Sequence, residues 1–510
     1  MKCLDRASLV ADRSVTLGDI VPRLAALQAD RHLVEEPQAD GSVLRLSYRG
    51  AADRVERIAA GVASRAQPGD RVVIATPNGY LQLLVALGVC RAGAVAVPVN
   101  PLMRPEEIAH VVADSGAALV IHDPLELLAD APLTEAEVAA RRPDVGAVAA
   151  IFYTSGTTGK PKGAELSHRA LIGSLPLLAL VPTGLRRDEM VAGLPVAHIM
   201  GFAVLLAAAA AGIPVYALPR FRAEQALDAM EQRRSTMFVG VPAMYRLLLE
   251  AGAESRNLSS VRVWASGADV MPADLARRFQ RMGGAATVPL LGFTIGDAAF
   301  VEGYGMVETG GAVAAKVSPP GVAVTLPIIG GLLGVALPGY RLKVVGEDGH
   351  EVGVGQVGEL LVRGPGVLSG YHGDVRATAQ ILDAEGWLHT GDLARRGLLG
   401  TVRFAGRAKD VIKSGGYSVY AVEIERAMEE HPDVVEAAAL GVPDDRLGER
   451  TVVAVRVRDG AAPTEDELIA WGGDHLAGYK RPRSVKIVDE LPRTGTQKVA
   501  KAELRALFVS

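Results

Sequence analysis

Cysteine is almost missing from this 510-residue chain, which carries only Cys3 and Cys90. Two thiols cannot make a disulfide framework, and neither a CxxC pair nor an HExxH run occurs, which removes those motifs from consideration. A reducing, cytoplasmic setting is therefore expected. There is also no excess of positive charge. Lys and Arg number 54 against 58 Asp and Glu, a net charge of −4, so nothing advertises a nucleic-acid partner. Long apolar runs are lacking too. The longest, Gly201 to Leu218, is broken by Gly212 and Pro214 and falls short of a comfortable bilayer span. It reads as a buried helix, a turn and a strand, with no transmembrane segment. The opening residues Met1 to Arg6 hold no apolar signal-peptide core.

What is present points to a globular enzyme-sized chain. Hydrophobic residues make up 49% and charged residues 22%, which allows a sizeable core and argues against disorder. The first half alternates strand and helix patterns. Arg71–Thr76, Gly93–Val99, Ala117–His122 and Ala147–Tyr153 read as strands, and Tyr80–Cys90 as a helix. The rhythm resumes with Val215–Leu218, Ala223–Arg233, Met237–Val241 and Val261–Ala265. This β-α-β order predicts an α/β fold of helix-covered, mostly parallel sheets. After Pro338 the texture changes to short strands between Gly/Asp turns, predicting a small β-barrel subdomain. The last hundred or so residues predict a smaller α+β module. The expected division is 1–405 for the large N-terminal domain and 411–510 for the smaller C-terminal domain, with the boundary at 406–410.

The most informative segment is Thr154-Ser155-Gly156-Thr157-Thr158-Gly159-Lys160-Pro161-Lys162-Gly163, placed directly after a strand. Its backbone N–H groups and hydroxyls suit phosphate oxygens, and its lysines add positive charge. It is not a Walker A loop, because Pro161 follows Lys160 where that motif needs Ser or Thr entering a helix. The segment resembles the phosphate loop of the adenylate-forming superfamily: acyl-CoA synthetases, luciferases and the adenylation domains of peptide synthetases. The resemblance runs from about Thr16 to the C-terminus, with further motifs in the family's order, and is nearest to fatty acyl-CoA synthetases.

The resemblance implies roles for particular residues. The loop from Thr154 through Ser155, Gly156, Thr157, Thr158 and Gly159 to Lys160 would bind ATP phosphates. Ala265-Ser266-Gly267-Ala268-Asp269 is similar to the turn lying on adenine, which selects Gly267 and Ala268. Glu302-Gly303-Tyr304-Gly305-Met306-Val307-Glu308-Thr309 resembles the motif in which Tyr304 stacks on adenine, beside Gly305, and Glu308 binds Mg²⁺. Val307 stands where the family usually has Thr, with Thr309 or a water as the expected replacement hydroxyl. Asp392, in Gly386-Trp387-Leu388-His389-Thr390-Gly391-Asp392, would accept hydrogen bonds from ribose. Arg407 would add a nucleotide contact and Lys409 would serve as hinge. Gly415, Gly416 and Tyr417 would line a channel for coenzyme A, and Lys498 would act in adenylation, with Gln497 in place of the usual Gly. His198, Gly201 and Phe202 would border the acyl pocket.

The reaction implied is ATP-dependent activation of a carboxylic acid to acyl-AMP, followed by transfer to CoA. The uncharged, alanine-rich Gly201–Gly212 stretch suggests space for a medium- or long-chain fatty acid, with aryl or branched acids next. Two alternatives stand beside this: a ligase delivering to an acyl carrier protein, and a non-catalytic nucleotide- or acyl-binding protein of the same fold.

Overall fold

The computed structural model describes residues 5, 6, 8, 12, 14–154, 161–173, 188–288, 293–319, 332–414, 417–493 and 499–508. The chain has an α/β fold that divides into two compact units. The larger comprises Met1–Arg341 with Val362–Leu388, and the smaller Leu342–Leu361 with His389–Ser510.

In the larger unit the apolar runs predicted as strands enter two sheets. One has the order Gly370–Tyr371, Lys162–Ser167, Val148–Thr154, Val95–Pro98, Arg71–Ile74, Leu119–Ile121. Its 71, 95, 119 and 148 strands run parallel, while 162–167 folds back antiparallel on 148–154. In the second sheet Val215–Ala217, Met190–Ala192, Met237–Gly240, Val263–Gly267 and Ala299–Met306 lie side by side and parallel. Gly311–Ser318 then returns antiparallel beside Ala299–Met306. Parallel strands need faces covered by helices, and the helices supply apolar sides. In Tyr48–Ala63, Ala51, Val55, Ile58, Ala59 and Val62 are buried at helical spacing, and Ser47 starts the helix by accepting from Gly50 N. Beneath the second sheet Trp264, Phe238, Tyr245, Phe279 and Phe300 meet mostly edge to face, with centroids 4.8–6.2 Å apart.

The run from Gly201 to Leu218 is the expected buried helix, turn and strand. The helix Ile199–Ala211 stops at Gly212, whose φ of 70° suits glycine, and Val215–Ala217 follows. Among the described residues no helix is long and apolar enough to cross a membrane.

In the smaller unit the short strands Val357–Arg363, Leu388–Arg396 and Val402–Arg407 are hydrogen-bonded neighbours. A second sheet there has the order Tyr417–Tyr420, Val411–Ser414, Gly448–Val457, Val434–Asp444. Helices Ala421–Glu429 and Glu465–His475 pack on it through Ile424, Met428 and Leu468. The Thr464 hydroxyl and the Glu467 carboxylate cap the second of these reciprocally. The 406–410 segment is not an open linker. Arg407 ends a strand, and Ala408–Asp410 forms one 3-10 turn within this unit.

Candidate active site

Three parallel strands of the second sheet in the larger unit end along one edge, and each carries or leads into motif residues. Ligands of open α/β sheets bind at such carboxyl edges. After Met190–Ala192 comes His198. After Val263–Gly267 comes Ala268. The Ala299–Met306 strand carries Tyr304 and Gly305 and runs into Glu308. Gly267 lies opposite Gly303 in the ladder, which puts the adenine-turn segment one residue from Tyr304. These distant stretches of sequence are thus brought together by parallel pairing.

The backbone at the turn is strained where the sequence gives no warning. Gly267 ends its strand, and the left-handed conformation falls on Ala268, with φ 66°. Gly267 is small for a different reason: a Cβ there would come within 3.1 Å of the Gly303 carbonyl and 3.4 Å of Met200 Cε. A Cβ on Gly305 would collide with the Gly311 backbone across the hairpin.

Glu308 sits in the short 3-10 turn Val307–Thr309 and is 8% exposed. Its Oε1 accepts a hydrogen bond from Tyr371 Oη at 2.8 Å. Burial first, and the neighbouring Glu308 charge second, raise the Tyr371 phenol well above its ordinary pKa, so it stays a donor. The Lys162 ammonium lies 5.4 Å from the centre of the Tyr371 ring and 3.6 Å from Asp374 Oδ2. His372 Nδ1 meets Glu165 Oε1 at 2.7 Å. The sequence reading missed this cluster. The Gly370–Tyr371 strand has two residues, too few for any periodicity, and Tyr371 reaches across 63 positions to Glu308.

The phosphate-loop segment leaves the sheet at Thr154, which faces Lys162 in the antiparallel ladder. The loop therefore joins two strands rather than a strand and a helix, as its departure from Walker A predicts. Ser155, Gly156, Thr157, Thr158, Gly159 and Lys160 lie outside the described residues, as do Gly415, Gly416 and Lys498.

Three expectations need correction. The Thr309 hydroxyl does not replace the one Val307 lacks: it is spent on its own backbone, against Met306 N and O at 3.0 Å and Gly311 O at 2.7 Å. Phe202 is a core residue rather than an open pocket wall. It is 0% exposed and packs edge to face on Phe152 at 5.3 Å. Four of the six alanines of the same helix, Ala208 to Ala211, provide no acyl space either, because they are buried in the core, where Tyr48 Oη donates to Ala209 O. The cavity beside Gly201, lined also by Asn78, Tyr80, Leu194 and Leu205, measures about 10 Å³, room for one water at most. His198 caps the helix, its Nδ1 accepting from Met200 N at 3.3 Å.

In the smaller unit Asp392 and Arg407 are cross-strand partners, and Arg407 Nε lies 3.1 Å from Asp392 Oδ1. Asp392 is 3% exposed and Arg407 half-buried. Lys409, just beyond, is partly buried, which lowers its ammonium pKa. Tyr417 is exposed and stacks on Tyr479 with centroids 4.6 Å apart.

One carboxylate suits a cation here. Among the described residues no group of three His, Cys, Asp or Glu side chains is arranged to hold a metal. A Mg²⁺ ion does not need such a cage, since it is commonly held by one or two carboxylates plus substrate phosphates and water. Glu308, buried and forming no ion pair among the described residues, fits that donor set.

Comparison with known proteins identifies two family segments. Residues 23–372 match the family model described as AMP-binding enzyme, and residues 423–498 match the AMP-binding enzyme C-terminal domain. A feruloyl-CoA synthase from Amycolatopsis sp is 37% identical over 91% of this chain and 94% of its own length. An indoleacetate–CoA ligase from Aromatoleum aromaticum is 32% identical over 96% and 98%. The crystal structure of ATP-bound MatB from Rhodopseudomonas palustris superposes with a TM-score of 0.80 at 29% identity, covering 97% of this chain and 99% of that one.

Proposed function

The chain belongs to the AMP-binding enzyme family, and from that premise we propose that it is an ATP-dependent carboxylic acid–CoA ligase acting on an aryl or arylalkyl acid through an acyl-AMP intermediate. The observation that carries the activity is the pair of buried motif carboxylates: Glu308, which accepts from Tyr371 Oη, and Asp392, which faces the Arg407 guanidinium. Relatives named for feruloyl and indoleacetyl substrates support the aromatic class. The fatty-acid expectation leaned on the alanine-rich helix, four of whose six alanines are packed into the core.

The chemistry asks little of a nucleophile. The substrate carboxylate is already an anion; it attacks the α-phosphorus of ATP, a P–O bond forms, and the bond to pyrophosphate breaks. The CoA thiolate then attacks the acyl carbon and AMP leaves. The protein must align the reactants and offset developing negative charge. Asp392 accepts from ribose, while Tyr304 and the Gly267–Ala268 turn receive adenine. Lys498 and the Thr154–Lys160 loop would offset charge on the phosphates. Glu308 would hold Mg²⁺, which when bound neutralises charge on phosphate oxygens.

Two half-reactions of different shape need different surfaces. The 411–510 module, turning about Lys409 in the 406–410 hinge relative to 1–405, presents Lys498 for adenylation. It then presents the Gly415–Gly416 loop and Tyr417 for CoA. Lys498→Ala should abolish acyl-AMP formation and spare thioester formation from supplied acyl-AMP, and Gly416→Trp should do the reverse. Equal damage to both halves in well-folded variants would defeat the two-state scheme.

The substrate class is tested by an acid panel with ATP and either CoA or an acyl carrier protein, read by mass spectrometry. Aryl-CoA products are expected. Turnover confined to alkyl acids, or acyl transfer only to the carrier protein, would overturn the assignment. Absence of pyrophosphate exchange with every acid would leave a binding protein.

A further inference from the structure

We propose that Tyr371 is a positioning residue of adenylation: it fixes Glu308 Oε1 with a neutral hydrogen bond so that the other carboxylate oxygen is presented to the Mg²⁺ of MgATP. This rests on the ligase reading above.

The case begins with the backbone. Residues 368–372 tie two motif segments together. Leu368 N donates to Glu308 O at 2.9 Å on one side. On the other, Ser369 N donates to Glu165 O at 2.9 Å and His372 N to Gly163 O at 2.7 Å. Glu165 and Gly163 belong to the strand leaving the phosphate loop. The Glu308 turn and that strand are thus fastened to one short segment, and Tyr371 projects from it to the carboxylate. The Tyr371 amide is itself held, donating to Thr378 Oγ1 at 2.8 Å. The segment also passes close to the residue after Thr309, since a Cβ on Gly310 would lie 3.1 Å from the Gly366 carbonyl.

The choice of a phenol has a chemical reason. An Arg or Lys in its place would neutralise Glu308 and weaken its hold on a cation. The nearby cation, Lys162, is instead directed over the Tyr371 ring and toward Asp374. A neutral donor fixes the rotamer and leaves the charge. Groups that orient a metal-holding carboxylate without touching the metal commonly account for roughly 10–100-fold in metal affinity.

The test is Tyr371→Phe in the full chain, alone and combined with Glu308→Gln. Two readouts are taken: the Mg²⁺ concentration giving half-maximal pyrophosphate exchange, and Mn²⁺ binding to the ATP complex followed by electron paramagnetic resonance. Tyr371→Phe is expected to weaken both by roughly tenfold or more, with little change in metal-free ATP binding and an unchanged melting temperature. In the Glu308→Gln background the same substitution should have no further effect on Mn²⁺ binding. Unchanged metal dependence in Tyr371→Phe, or an equal loss with and without Glu308, would overturn the proposal. A wild-type chain that exchanges no pyrophosphate would instead defeat the ligase reading, while the Mn²⁺ measurement would still judge the Tyr371–Glu308 coupling.

Discussion

Asp392 and Glu308 are both buried motif carboxylates, at 3% and 8% exposure, yet their partners differ in kind. Asp392 faces a guanidinium, Arg407 Nε at 3.1 Å, whereas Glu308 takes a phenol, Tyr371 Oη at 2.8 Å. A carboxylate paired with a cation has most of its charge answered and keeps lone pairs for neutral donors, such as sugar hydroxyls. A carboxylate held by a neutral donor keeps its charge for something cationic. The partner's charge thus matches the ligand proposed for each carboxylate, which the carboxylates by themselves do not distinguish.

The strongest way to break this contrast is to delete the proposed ribose acceptor. Asp392→Ala should raise the ATP KM by roughly a hundredfold or more, since each hydrogen bond to a charged acceptor is worth ~1.5–3 kcal/mol. Steady-state pyrophosphate exchange would show it, and an unchanged KM would remove Asp392 from the nucleotide site.

A third buried titratable group extends the contrast to stability. His168 is 1% exposed and accepts from Leu17 N through Nδ1 at 3.1 Å. Burial holds it down at about 4, against an ordinary 6.5. As pH falls, the unfolded chain takes up this proton first. The contribution is therefore intact above about pH 6.5 and is lost between there and about pH 4, to a total of roughly 3 kcal/mol. Urea midpoints of wild type should drop across that range, and those of His168→Asn should drop less. Parallel curves would contradict the assignment.

Arg407→Met sharpens the comparison more gently. Without the cation, burial should raise the Asp392 pKa. The ATP KM should then worsen as pH is lowered, by about tenfold near pH 5 (about 1.4 kcal/mol). Tyr371→Phe should introduce no such slope in nucleotide affinity. A flat Arg407→Met profile would show that the guanidinium does not set the charge of Asp392. The smallest effect belongs to Val307→Thr. Val307 is half-buried against apolar neighbours, and a hydroxyl there should change the adenylation rate by less than about tenfold, or 1.4 kcal/mol of barrier. A larger loss with folding intact would mean that the position requires an apolar side chain.

These residues also show what a sequence reveals. Strands such as Arg71–Ile74 and Val357–Arg363, and the helix Ala223–Arg233, are legible because apolar runs bounded by turns leave little choice. Motif carboxylates are legible because their neighbours are distinctive. Their partners are not, since pairing register, not local pattern, brings Arg407 opposite Asp392 and Tyr371 to Glu308. Thr309 and Phe202 were misjudged for a related reason. Sequence gives a side chain's chemistry but not the direction it faces, and both turn inward.

The left-handed Ala268 carries a consequence for timing. An alanine at φ 66° is held there against its own preference by the surrounding sheet. The disorder of that turn is therefore removed when the chain folds, not when nucleotide arrives. On the proposed reading, adenine would meet a rigid shelf rather than a loop awaiting order, and its affinity would not be diminished by the entropy of arranging the surface that receives it.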